Sequence, residues 1–261
     1  MNIAFFDPFS GAAGDMILAA LIDAGLDPDQ LRTGLAALGL EDYELRVERV
    51  SQHGIAGTAV NVDVADGQPQ RDWSTIQPLI TTSGLPPKVR ERALAIFTTL
   101  ADAEAAVHDV PVDAVHFHEV GAVDAIVDIC GAAVGLALLG VDQVYSLPPV
   151  TGDGWVRAQH GLMPVPAPAT ARILADHGVP VGRPLPKGQT VGAELLTPTG
   201  AAILATLARF ETPRFIPTAT GYGFGTLQLP WPNALRLWLG TEDKTSAGSS
   251  PPEWETKPGR R

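Results

Sequence analysis

The sequence predicts an α/β fold built as a mixed sheet with flanking helices, with α+β as the alternative arrangement. Three observations lead there. Short apolar or alternating segments interleave with stretches of helical period along most of the chain. The amino terminus opens as a strand, a small-residue turn and a helix, IAFF followed by DPFSGAAGDM. No internal duplication signals a repeat architecture. With 261 residues and 45% hydrophobic composition, the chain can bury a full core as one large domain or two small ones.

Residues 3–6 read as a short buried strand, and a helix follows from about Asp15 to Ala24, carrying Met16, Leu18, Ala19, Leu21 and Ile22. YELRVERV and TAVNVDV both alternate and flank the turn signal QHGIAG, so residues 43–64 form an antiparallel pair. The polar loop ADGQPQRD separates this pair from helices at roughly 73–81 and 87–108, the second entered through Pro86-Pro87. A helix ends near Gly140, and VDQVYSL is the next strand. Proline then becomes frequent. GDGWVRAQHGLMPVPAPATARILADHG gives two short strands and a helix opened by Pro166 and Pro168, where a missing amide proton does no harm. ELLTPTGAAILATLARF is a further loop-to-helix unit, and GYGFGTLQLPWPNALRLWLG closes the fold with two strands. The domain reading is a core over residues 1–240, with a subdivision point near 146, and a disordered polar tail over 241–261.

Composition narrows the function. Twenty-nine acidic against eighteen basic residues give a net charge of -11, which repels polyphosphate backbones, so nucleic acid is not an expected partner. The single cysteine, Cys130, sits in an apolar helix and reads as a packed small side chain. The start MNIAFFDPFSG has no basic region, and no apolar run approaches a membrane span, so the expected setting is the cytoplasm, away from membranes.

The densest chemistry lies in HFHEVGAVDAIVDIC, residues 116–130, which places two imidazoles and three carboxylates in an otherwise apolar stretch. Buried carboxylates are costly unless paired, hydrogen-bonded or bound to a cation. His116 and His118 alternate with Phe117 and project to one side of an extended segment, leaving Phe117 to the core. Asp124 and Asp128 lie four apart on one helix face, where a positive group between them turns repulsion into attraction. His116, His118, Glu119, Asp124 and Asp128 are therefore the candidate metal ligands; the donor types suit nickel, zinc, iron or manganese without choosing among them. The alternative is a structural network in which Asp124 and Asp128 meet Arg157 or Arg172.

A second candidate region is DPFSGAAGDM, with Asp7 past a strand end, Ser10, Gly11 and Gly14 in the turn, and Asp15 at a helix start. Such a turn offers backbone N–H groups to a phosphate, and the two aspartates suit a metal that bridges to one. The competing account is a helix whose first turn simply carries an acid. His160 lies on a turn between strands, and Glu194 precedes a helix that Thr197 or Thr199 caps.

Taken together, DPFSGAAGDM with LIDAGLD, HFHEVGAVDAIVDI, AQHGLMPVPAPAT, ELLTPTGAA and GYGFGT resemble, in order from residue 3 to about 240, the nickel insertion protein of the LarC family. The resemblance implies a nickel chelatase of the lyase class that places Ni2+ into pyridinium-3,5-bisthiocarboxylic acid mononucleotide. That step matures the nickel-pincer nucleotide cofactor of lactate racemase, and the family uses CTP with Mn2+ or Mg2+. Under this resemblance His116, His118 and Glu119 are first ligands, and Asp124 and Asp128 are ligands or orient the imidazoles. Asp7, Ser10, Gly11, Gly14 and Asp15 line the nucleotide end, and His160 assists proton removal. Three departures stand out. The loop ADGQPQRDW has no histidine where many members carry a histidine-rich run, the family's second half associated with CTP is missing after Gly240, and Leu227 and Gln228 replace an arginine and an acid. The resemblance thus covers the amino-terminal portion and implies either a separate chain for nucleotide-dependent insertion or a diverged member of the family, with a lactate racemase-type apoenzyme downstream. Two other classes stay open: a metal- or nucleotide-binding partner subunit without catalysis of its own, and a metal-dependent hydrolase with Glu119 as general base.

Overall fold

β1 (Asn2–Asp7) is buried from Ile3 to Asp7 and lies inside the main sheet. A strand covered on both faces must be apolar on both, which is why IAFF reads as a run and not an alternation. The computed structural model of the chain describes residues 1–41, 43–65, 71–117, 121–158 and 161–244. After β1 come α1 (Gly14–Asp23) and α2 (Pro28–Ala36). The hairpin follows, β2 (Tyr43–Gln52) and β3 (Ile55–Val64), joined by His53 and Gly54, both at positive φ, the two-residue turn that suits strand twist. α3 (Trp73–Thr81) and α4 (Pro87–His108) occupy the predicted spans. A single 3-10 turn at Val112–Ala114 precedes α5 (Val123–Leu138) and β4 (Gln143–Ser146). The proline-rich portion gives β5 (Trp155–Ala158), β6 (Gly161–Pro164), α6 (Pro168–Asp176) and α7 (Pro198–Leu207). The short β7 (Ala208–Arg209) leads to β8 (Phe215–Phe224) and β9 (Ala234–Glu242).

The main sheet runs β2-β3-β8-β9-β1-β4-β7, while β5 and β6 form a separate ribbon. It is mixed as predicted: β1 pairs parallel with β4 and antiparallel with β9, so Phe5 faces Tyr145 on one side and Trp238 on the other. Strands from before and after residue 146 alternate within this sheet. The last strand runs through Glu242, and of the tail residues 245–261 lie outside the described set. α2 is an element that periodicity does not reveal, because it buries only Leu31 and Leu35. Its signal is local: the Asp27 side chain accepts from the Asp29 N–H at 2.8 Å, with Pro28 at the first helical position.

Twelve of the sixteen residues of α5 are buried, which makes it a helix inside the protein rather than on its surface. It packs against α1, α2, α4 and α7. Small residues permit this closeness: a Cβ at Gly131 would lie 2.9 Å from Leu18, and one at Gly135 would lie 2.9 Å from Leu26. α1 crosses β3 and β8, and at Gly223 a Cβ would fall 1.9 Å from the Met16 carbonyl oxygen. A side chain there would lift α1 off the sheet. The starts of α1, α5 and α7 are thereby brought to one place.

Candidate functional site

A cleft of about 540 Å³ opens where those three helices begin. α1 contributes Ala13, Gly14, Asp15 and Met16; α5 contributes Asp124, Ala125 and Asp128; α7 and its approach contribute Glu194, Leu195, Thr197, Pro198 and Thr199. The opposite wall is β3 from Val60 to Asp63, with Gly225, Thr226, Leu227 and Asn233 from the β8–β9 connection. Helix starts expose unpaired N–H groups and the positive end of the helix dipole, so three of them around one cavity favour anionic groups. The α1 and α5 starts are themselves acidic, whereas the first turn of α7 carries no acid. The cleft therefore has an acidic side at α1 and α5 and, across from it, the start of α7, whose own first turn has no acid although Glu194 lines the cleft beside it.

On the acidic side each carboxyl is held by a backbone amide. Asp15 Oδ1 accepts from the Met16 N–H at 2.7 Å, and Asp124 Oδ1 accepts from the Ala125 N–H at 2.9 Å. Asp128 accepts from the Asp15 N–H, yet its Oδ1 is out of contact with solvent and has no partner. Gly14 makes room for this: a Cβ on it would lie 2.5 Å from Asp128 Cβ and 2.6 Å from Oδ2. Burial pushes the Asp15 carboxyl up to about 6, opposed by the Met16 and Asp15 N–H groups and aided by the charge of Asp124. Burial, then the charges of Asp15 and Asp124, push Asp128 well above the usual carboxylate range. The ion-pair alternative is not what the structure holds. Arg172 pairs with Asp176 at 2.7 Å, and among the described residues no lysine or arginine pairs with Asp15, Asp124 or Asp128.

The turn ahead of α1 divides into two parts. Gly14 and Asp15 line the cleft, while Asp7, Ser10 and Gly11 do not. Asp7 is buried and clamped by Arg183 at 2.5 Å and Arg236 at 2.6 Å. Ser10 donates to Asn233 Oδ1 at 3.3 Å and accepts from the Trp231 ring N–H at 3.1 Å. Gly11 has φ +84, and a Cβ on it would lie 1.9 Å from the Leu195 carbonyl oxygen. Those three residues tie the turn to the strand ends and to the approach to α7. Asp7 and Arg236 are also a register pair of β1 and β9, so the carboxylate meets its partner across the sheet.

His116 is exposed, and its Nδ1 lies 2.7 Å from Asp72 Oδ1; Phe117 is buried beside Phe97, as the alternation requires. His118, Glu119 and His160 lie outside the described residues. Among the described residues no group of three or more His, Cys, Asp or Glu side chains is arranged to hold a metal by itself. Asn61, Asp63 and Asn233 are cleft residues that the sequence analysis passed over. For Asn61 and Asp63 the signal was present, as the polar positions of the alternating TAVNVDV strand. Asp63 pairs with Arg46 at 2.6 Å, and Asn233 is fixed through its N–H to Gln52 and its amide to the Leu227 carbonyl at 3.2 Å.

The model of the family described as "Nickel insertion protein" matches residues 4–256, and the chain belongs to that family. A Thermomicrobium roseum protein named for nickel insertion is 56% identical over 241 residues, covering 92% of this chain and 58% of its own length. A similarly named protein of Roseiflexus castenholzii is 50% identical, covering 95% of this chain and 62% of its own. The pyridinium-3,5-bisthiocarboxylic acid mononucleotide nickel insertion protein of Desulfitobacterium hafniense is 47% identical, covering 95% and 61%. The chain thus spans about three-fifths of the length of these relatives. No solved structure matches it. Among the described residues no helix is long and apolar enough to cross a membrane.

Proposed function

We propose that this chain takes part in inserting nickel into pyridinium-3,5-bisthiocarboxylic acid mononucleotide, and that the acidic cleft is where metal and nucleotide meet. The observation that carries this is the cleft itself, in a chain belonging to the nickel insertion family: a cavity of about 540 Å³ with the carboxyls of Asp15, Asp124 and Asp128 at two helix starts and a third helix start, α7, whose first turn has no acid, beside Glu194. Its size falls within the range of small-molecule sites, about 300–1,000 Å³. A substrate that carries both a phosphate and a metal-binding group needs two such poles. The acidic side attracts the dication, and the positive end of the α7 helix suits the phosphate. Nickel is cargo in this scheme, and insertion releases protons as sulfur and carbon bonds to the metal form. Carboxyls such as Asp15, whose burial raises them to about 6, stand beside the place where those protons leave.

In the finer reading the reaction is that of a chelatase of the lyase class, it uses CTP with Mn2+ or Mg2+, and it takes place in the cytoplasm. A portion equivalent to the remaining two-fifths of the relatives supplies the nucleotide-dependent part, as a separate chain or as a continuation of this one. The test is an insertion assay with purified chain, Ni2+, the pyridinium mononucleotide, CTP and Mg2+ or Mn2+, with and without the carboxy-terminal part of the Desulfitobacterium relative. The expected product is the nickel adduct by mass, formed when both parts are present and able to activate a lactate racemase-type apoenzyme. No adduct under conditions in which the intact relative makes it overturns the proposal.

A further inference from the structure

The β8–β9 connection, residues 225–233, forms part of the cleft wall, yet it carries neither an acid nor a helix start. It is fixed at both ends and in the middle. The Gly225 N–H donates to the Asn233 carbonyl at 2.9 Å, while the Gln52 side chain donates to the Gly225 carbonyl at 3.2 Å and accepts from the Asn233 N–H at 3.0 Å. Asn233, only 3% exposed, accepts from the Ser10 hydroxyl at 3.3 Å and donates through Nδ2 to the Leu227 carbonyl at 3.2 Å. His53 Nε2 donates to the Leu229 carbonyl at 2.8 Å, and Trp231 donates its ring N–H to Ser10 at 3.1 Å. Pro230 and Pro232 stiffen the chain between these anchors. What the held segment presents to the cleft is Leu227, 40% exposed, whereas Met16, Val60 and Leu195, which also line it, are buried. A leucine on a free loop would turn toward apolar cover; this one is held where a ligand can cover it.

We propose that Leu227 is the contact for the heteroaromatic ring of the cleft's ligand and that Asn233 is its positioning residue. This rests on the proposed function, in which the cleft takes a pyridinium mononucleotide. There the dication goes to the carboxyls and the phosphate to the start of α7, and the ring between them needs an apolar face that neither pole supplies. Small-molecule sites have mostly apolar linings, with a few polar groups that fix orientation. A flat ring laid on Leu227 removes apolar surface of both from water, and the covered area is the gain. Asn233 acts through the backbone. Its Nδ2 sets the Leu227 carbonyl, and its Oδ1 ties the segment to the turn ahead of α1, so the ring contact keeps a fixed spacing from the acidic side. Gly225 lets the segment lie close against α1: a Cβ there would stand 2.8 Å from Asn233 Nδ2 and 3.0 Å from Met16 Sδ. A contact held in place beforehand needs little ordering when the ligand enters.

Calorimetric titration of the purified chain with the pyridinium mononucleotide, and with ribose 5-phosphate as a ring-free control, tests this. Wild type is expected to bind the mononucleotide more tightly than the control. Leu227→Ala should bind the mononucleotide about fivefold more weakly and ribose 5-phosphate as wild type does, with Leu227→Met restoring the difference. Asn233→Asp keeps the acceptor for Ser10 and removes the donor to Leu227. It should show the same ring-selective loss, together with faster amide hydrogen exchange across residues 225–229. Circular dichroism accompanies each variant, so that lost binding is read only on folded protein. Because Leu227 is exposed, its variant keeps the test open if Asn233→Asp does not fold. Affinity of Leu227→Ala equal to wild type, a loss that falls alike on both ligands, or no preference of wild type for the mononucleotide overturns the proposal. Nickel insertion by wild type with the carboxy-terminal part, alongside unchanged mononucleotide affinity in Leu227→Ala, removes the ring contact and keeps the proposed function. Ring-selective loss in the variants, with no insertion by wild type plus that part, does the reverse.

Discussion

Asp7, buried in the core, and Asp128, half-buried on the cleft wall, are two carboxyls of the same molecule, one answered by basic side chains and one not. Asp7 ends β1 and is gripped by Arg183 from a loop and Arg236 from β9, an arrangement that closes the charge account internally and staples three segments. Asp128 sits one turn into α5, meets only a backbone amide and faces other acids. A buried charge with a fixed partner serves the fold, whereas one lacking a partner is stabilised only when something arrives from outside. The contrast separates structural from ligand-directed acids among residues that look alike in the sequence.

The largest effect belongs to the answered carboxyl. Asp7→Asn leaves two guanidinium groups facing a neutral amide and is expected to cost about 3 kcal/mol of stability, within the range for breaking a buried pair; urea unfolding measures it, and a loss under 1 kcal/mol would remove the staple role. Next is Gly14→Ala, whose methyl meets Asp128 at 2.5 Å. Overpacking of that kind costs about 1–3 kcal/mol, and it should weaken Mn2+ binding as well, because the methyl displaces the carboxyl. Asp128→Asn should behave oppositely to Asp7→Asn: the metal-free protein keeps or raises its melting temperature, since a costly charge is gone. A marked drop in differential scanning fluorimetry would erase the contrast.

Acidity sharpens the comparison further. Below the ordinary carboxyl value of 3.8 the Asp15 side chain is protonated in both folded and unfolded states. Between 3.8 and about 6 the unfolded chain gives up that proton while the fold keeps it, so the stability contributed by this group declines as pH rises and is lost above about 6. Metal-free protein should therefore lose stability across that window, and a saturating divalent cation should flatten or reverse the slope. Unfolding curves at pH 4, 5, 6 and 7 with and without Mn2+ test the sign. The smallest effect is at Cys130, whose burial pushes the thiol up to about 12: a thiol reagent at pH 8 should leave it unmodified in native protein and label it on unfolding.

Much of this fold was legible along the chain because each segment carried its own period. The β2–β3 hairpin shows alternation and a His53-Gly54 turn, α4 fills the span its proline entry and apolar spacing require, and the amino-terminal strand-loop-helix unit stands as read. α2 was missed because two buried leucines make too faint a stripe. The candidate site was legible in part. Gly14, Asp15, Asp124 and Asp128 share a cleft, and spacing alone paired the last two. The turn that carries Asp7, Ser10 and Gly11 read as one ligand-facing unit, but its front half turns inward to hold strands and loops together.

Local chemistry therefore determined the elements, the acidic character of the α5 start and the family to which the motifs point. The sequence could not say which acid meets a cation from within, since Arg183 and Arg236 lie 176 and 229 residues from Asp7 and reach it only through sheet register and loop packing. Nor could it bring the starts of α1, α5 and α7 together, a meeting set by glycines at the α1–β8 and α1–α5 contacts. Periodicity acts over a few residues and is written in order along the chain; the partnering of charges depends on three-dimensional proximity, which only the packed core decides.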